Sequence, residues 1–169
     1  PRLVRPDGSL QPDVSATGRF PSFRQALFEY TRLGRMWPDS PWNSEYFLTG
    51  ADRLASRPVA MLQGACFLFR RSLLDDVGAF DERFFLYFEE TDFCKLAADR
   101  NWQAHYVGEA AAIHLGSQSS PARRPSARHF IRSLYAFHHK HYGLREAALL
   151  WAILAPYHAL RSLRLAALL

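Results

Sequence analysis

Three carboxylates fall within four residues, at Glu89, Glu90 and Asp92, directly after the aromatic run Phe84-Phe85-Leu86-Tyr87-Phe88. Phe93, Leu96 and Ala97 follow at helical spacing, and Asn101 closes a helix of about two to three turns. The acids therefore occupy the first turn of that helix. Free N–H groups and the macrodipole attract negative charge there, which by itself accounts for many acids in such positions. The preceding run adds a second condition. An aromatic segment that must be largely buried fixes the backbone from which the carboxylates emerge, as a positioned general base requires. Mutual repulsion raises their proton affinity, while the helix dipole or a bound cation lowers it, so one carboxylate can stay ionised at neutral pH beside a metal.

Nitrogen and sulfur are sparse around this cluster. His114 ends a predicted strand and precedes a loop rich in Gly and Ser, which makes it a candidate nitrogen ligand to such a metal. His138, His139 and His141 do not converge on a helix and read as structural or anion-facing. Cys66 and Cys94, the two cysteines, exclude a disulfide-stapled scaffold and a four-cysteine zinc site, and fit free thiols in a reducing compartment.

The elements that position these residues are legible in outline. Residues 1–22 hold four prolines and the turn Pro6-Asp7-Gly8, and read as extended segments and turns. Phe23, Ala26, Leu27, Tyr30 and Leu33 predict a helix over 23–35, followed by an irregular, mobile connection over 37–57. Val59-Ala60-Met61-Leu62 leads into Gly64-Ala65-Cys66-Phe67-Leu68-Phe69, a buried strand whose glycine points to close approach at the backbone. Ser72 and Asp75 predict a capping box for a short helix that closes at Gly78. Strands follow at Trp102 to Val107 and at Ala110 to Ile113.

A chain of 169 residues, 49% apolar and 22% charged, fits one globular domain and excludes a disordered tail. Its net charge of +5 is unevenly spread. Residues 1–109 carry 13 basic and 15 acidic side chains, whereas residues 110–169 carry 8 basic side chains and Glu146 alone as an acid. Such a block faces a polyanion or an anionic membrane surface. An apolar helix follows it rather than interleaved stacking aromatics, which argues against nucleic acid. Residues 147–157 are uncharged, but Pro156, His158, Arg161 and Arg164 break the segment before it could span a bilayer. Residues 143–169 thus read as an amphipathic helical tail that docks on a membrane surface or packs on protein. No secretory leader follows Pro1, which together with the thiols predicts a cytoplasmic chain, peripheral at the inner face of the cell membrane.

Three stretches of the chain resemble family 2 glycosyltransferases. They are Gly64-Ala65-Cys66-Phe67-Leu68-Phe69-Arg70-Arg71, then Val77 through Cys94 with its Phe80-Asp81-Glu82 and Glu89-Glu90-Thr91-Asp92, and Ile113-His114-Leu115-Gly116 with Ser119-Ser120. The likeness is to the C-terminal half of the rhamnosyltransferase-like subgroup that builds cell-wall and surface polysaccharides. It implies an α/β fold, the acceptor-side half of a GT-A domain with a mixed sheet over residues 1–142, plus the helical tail. By this resemblance Glu90 is the candidate base, with Glu89 and Asp92 as alternatives. Gly64, Ala65, Phe88 and Ser119 would contact substrate, and His114 would complete Mg²⁺ or Mn²⁺ coordination. The implied reaction is inverting transfer of a sugar, rhamnose by subgroup likeness, from a nucleotide-diphosphate donor to a lipid-linked or polysaccharide acceptor. No Asp-x-Asp motif occurs in the chain, so the resemblance implies a fragment lacking the donor half and inactive alone. A noncatalytic module that binds anionic lipid or a lipid-linked glycan is the alternative from a different class.

Overall fold

The computed structural model describes residues 1–11, 16–31, 33–37, 40–48, 50–115 and 123–166. The chain is mixed α/β, as its pattern predicts. In order it forms β1 (Arg2–Val4), β2 (Ala16–Thr17), α1 (Phe23–Tyr30), α2 (Leu33–Met36), α3 (Pro41–Phe47), β3 (Arg57–Val59) and β4 (Met61–Leu62). There follow α4 (Arg71–Val77), α5 (Glu89–Asp99), β5 (Ala104–Tyr106), β6 (Ala111–Ile113), α6 (Arg123–Tyr142) and α7 (Leu144–Ala166). The strands pair two by two. β1 lies parallel to β6 with Leu3 opposite Ala112, β2 antiparallel to β4, and β3 antiparallel to β5 with Pro58 opposite His105. Two-stranded pairs are marginal in water, so packing against helices must stabilise them.

The strands bury Ala16, Val59 and Tyr106 in a small cluster of their own, and the helices build the main one. Ala26 of α1, Phe84, Phe88, Leu134 and Phe137 of α6, and Leu150 and Leu154 of α7 bury their side chains together. Each large apolar residue buried there contributes roughly 1.5–3 kcal/mol. Gly143 turns the chain from α6 into α7 at φ +93°, a backbone state that costs glycine little. Within the predicted tail, Ala147, Leu150 and Leu154 form a buried stripe, and the latter two enter this cluster. A third cluster fixes α5 from its other end. Leu73 of α4 packs with Phe93 and Ala97 of α5, and the rings of Phe67 and Phe69 close over them.

Several elements differ from expectation. The helix expected over 23–35 breaks at Thr31, whose hydroxyl donates to the Leu27 carbonyl and accepts from the Leu33 N–H, so α1 ends and α2 begins. The connection expected to be irregular contains α3, with Tyr46 buried. The buried strand expected through Phe69 stops at Leu62. Phe67 and Phe69 turn inward, but Leu68 is 95% exposed, because no neighbouring strand among the described residues pairs with this segment. Ser72 lies inside α4 rather than at its cap, which is Arg70. Gly78 does close that helix at φ +85°. The run 84–88 is only partly buried: Phe84 and Phe88 are core residues, while Phe85 is exposed.

Candidate active site

Glu89 and Glu90 open α5, and the way the chain enters this helix is unusual. Tyr87 and Phe88 both adopt left-handed backbone conformations, at φ 68° and 69°. For bulky residues each costs on the order of 1–3 kcal/mol and persists only where the surroundings impose it. They do so here. The Phe88 ring packs on Phe130 and Phe137 with centroids 5.5 and 5.4 Å away, Tyr87 meets Phe130 at 5.5 Å, and Ser133 Oγ donates to the Leu86 carbonyl at 3.0 Å. The first turn of α5 is thus aimed by aromatic packing. Phe88, expected to touch substrate, is a core ring, and its influence at the site runs through its backbone.

The three acids divide by environment. Asp92 is buried and fully engaged, accepting from Lys140 Nζ at 2.8 Å and paired with His141 Nε2 at 2.7 Å. Lys140 also reaches Asp81 at 2.8 Å, and Arg83 holds the other flank of Asp81, whose carboxyl is kept well below the usual range by these partners. Asp92 therefore anchors α5 to α6 and has no oxygen left for chemistry.

Glu89 and Glu90 are the opposite case. Each has a buried Oε2 without a hydrogen-bond partner. Burial raises the proton affinity of both, and the charge of Glu89 pushes Glu90 further in the same direction. Backbone N–H groups of Glu90, Gly64 and Thr91 act against this shift in Glu90. A buried carboxylate oxygen with nothing to bond is expensive to keep and marks a place where a ligand can supply the missing donor. Cys94, one turn further on, is inert, with burial pushing its thiol up to about 11.

The end of β4 faces these acids. The Gly64 N–H points at Glu90 Oε1 from 3.5 Å, and a Cβ at Gly64 would meet Glu90 side-chain atoms at 3.8–3.9 Å, an ordinary contact. Gly64 and Ala65 are both exposed beside the carboxylate, so predicted site residues from two segments do come together here. Gln63 adds a third unsatisfied buried oxygen, Oε1. Tyr46 carries a buried phenol raised well above its usual range by burial, then by the charges of Glu29 and Glu90. Sequence reasoning singled out neither. A glutamine at a strand end and a tyrosine in a proline-flanked segment carry no spacing signal.

The remaining candidates lie elsewhere. His114 sits at the β1–β6 pair, its Nδ1 2.9 Å from Gln11 Oε1. Among the described residues no group of three His, Cys, Asp or Glu side chains could hold a metal ion. Ser119 lies outside the described residues. Of the histidines read as structural or anion-facing, His138 is buried against Glu146 at 2.8 Å and His141 pairs with Asp92.

A carboxylate poised on a rigid helix start beside an exposed glycine strand end can accept a proton from a hydroxyl brought to it. Comparison with known proteins bears on which hydroxyl. Two curated proteins of Mycobacterium tuberculosis, from strains CDC 1551 / Oshkosh and ATCC 25618 / H37Rv, match over 159 residues at 35% identity. Each is an N-acetylglucosaminyl-diphospho-decaprenol L-rhamnosyltransferase. This chain is similar to rhamnosyltransferases. The match covers 90% of the chain and 49% of each relative, so the chain spans about half the length of the curated relatives it matches. No family model and no solved structure matches it.

Proposed function

We propose that this chain forms the acceptor side of a glycosyltransferase, with Glu90 as the base of an inverting sugar transfer. The carrying observation is the Glu90 carboxylate itself, half-buried, held on a strained and packed helix start, with one buried oxygen unpartnered. A raised proton affinity suits a group that must take a proton near neutral pH. The Glu90 carboxylate accepts the proton of an acceptor hydroxyl through Oε1, on the exposed Gly64 side, as the hydroxyl oxygen attacks the anomeric carbon and the nucleoside diphosphate departs. Gly64 and Ala65 are exposed on the side where the sugar would approach, and Glu89 raises the proton affinity of Glu90 through its charge. Similarity to the mycobacterial proteins supports rhamnose as the sugar and a polyprenyl-diphosphate-linked acceptor.

Glu90→Gln in the intact protein tests this reading. Transfer of rhamnose from its nucleoside diphosphate to a polyprenyl-diphosphate-linked N-acetylglucosamine should lose about 10²–10⁴-fold in kcat, the usual contribution of a general base. Glu89→Gln should lose less, because it removes a neighbouring charge rather than the proton acceptor. An unchanged kcat for Glu90→Gln would overturn the assignment and leave a binding module as the better account.

A further inference from the structure

α7 has two apolar sides, and packing uses only one. Ala147, Leu150 and Leu154 are buried, whereas Leu149, Trp151 and Ile153 are 54, 59 and 41% exposed, and Leu144 at the helix start is 69% exposed. Between Ala147 and Tyr157 no side chain is charged, so no polar rim interrupts the outward face. An exposed apolar face of this kind marks an interaction surface. No described helix is long and apolar enough to cross a membrane, which leaves burial at a surface.

The charge around that face selects its partner. Arg128 and Arg132, one turn apart on α6, are exposed on the side away from the cluster that Leu134 and Phe137 enter, and Arg145 is exposed at the start of α7. The sole acid among residues 110–169, Glu146, is turned onto buried His138 and offers no outward negative charge. Lys140 is likewise committed inward, to Asp81 and Asp92. The outward side of α7 is therefore apolar over a broad arc, from Leu149 and Ile153 on one flank to Trp151 on the other, and three exposed arginines on α6 and α7 accompany it.

We infer that the outer faces of α6 and α7 dock on an anionic lipid bilayer, with Leu149, Trp151 and Ile153 entering the headgroup boundary and Arg128, Arg132 and Arg145 meeting lipid phosphates. Apolar burial and attraction to anionic lipid act together at such interfaces. This surface is independent of Glu90 and of the proposed chemistry.

Flotation with vesicles tests it. The chain should bind vesicles of equal parts phosphatidylglycerol and phosphatidylcholine, bind pure phosphatidylcholine far more weakly, and dissociate as salt is raised. Replacing Arg128, Arg132 and Arg145 by Gln should lower partitioning by roughly fivefold for each arginine, about a hundredfold in all. Leu149→Ser with Ile153→Ser should also abolish binding, with circular dichroism confirming that the helices remain. Brominated lipid should quench fluorescence in the native chain and much less in Trp151→Phe. Glu90→Gln should bind vesicles like the native chain, so that failure here and failure of the proposed chemistry are told apart. Absence of vesicle binding, equal binding to uncharged lipid, or a dimer that buries Trp151 in place of lipid would each overturn the inference.

Discussion

Glu90 and Asp92 lie two residues apart in one helix turn, yet their surroundings give them opposite work. Asp92 is held by Lys140 and His141, so removing its charge strands the Lys140 ammonium and takes a hydrogen-bond partner from His141. Asp92→Asn should therefore cost about 3–5 kcal/mol, toward the lower end because Lys140 keeps Asp81, and the midpoint of urea unfolding measures this. Glu90 should respond in the other direction. Its folded-state proton affinity is raised above that of the unfolded chain, so its ionisation at neutral pH works against folding. Glu90→Gln should raise the melting temperature at neutral pH, and the gain should vanish as pH falls below the ordinary glutamate value of 4.5. Activity should show the matching limb, falling with acidification at a pH above that value, because only the ionised carboxylate accepts a proton. A variant that is more stable and less active identifies a group kept for chemistry, whereas a loss of stability at Glu90 would assign it to structure.

At the scale of elements, helices were more legible than strands. The spacing of Phe93, Leu96 and Ala97 and the position of Asn101 locate α5 closely, since a helix that buries one face writes its period into the sequence. The strand expected through Phe69 has the right residues and no partner among the described residues, and pairing is a property of the neighbour rather than of the segment. The break at Thr31 depends on one hydroxyl bonding in two directions, and the left-handed entry to α5 depends on rings from α6. Neither is visible in local sequence. The site was legible as far as its acids and its glycine, but the division of labour among the acids required knowing that Lys140 and His141 come from a helix far along the chain. The turn between α6 and α7 makes a further prediction. Gly143 has φ +93°, and a Cβ added there would meet nothing within 4 Å, so Gly143→Ala brings no clash and bears the backbone penalty alone. Unfolding should show a loss of about 1 kcal/mol. Leu150→Ala, in the fully buried stripe of α7, should cost about 2–5 kcal/mol.

At the scale of the whole molecule, the chain brings together a poised carboxylate, a cluster that rigidifies it and a basic, apolar outer face, but its described residues bring together no metal site. His114 meets Gln11 rather than the acids of α5, and no three ligating side chains among the described residues converge. The expectation of Mg²⁺ or Mn²⁺ therefore makes a direct thermal test. A specific site filled at a hundred times its Kd would stabilise the fold by about 2.7 kcal/mol. For a chain of this size that corresponds to a rise of roughly 5–10 °C. Titration with MgCl₂ or MnCl₂ should leave the melting temperature of this chain flat, since among the described residues His114 meets Gln11 and no group of three His, Cys, Asp or Glu side chains converges to hold either ion against water. A saturable rise, abolished by His114→Ala, would show that His114 is a ligand and gathers partners that the described residues do not supply.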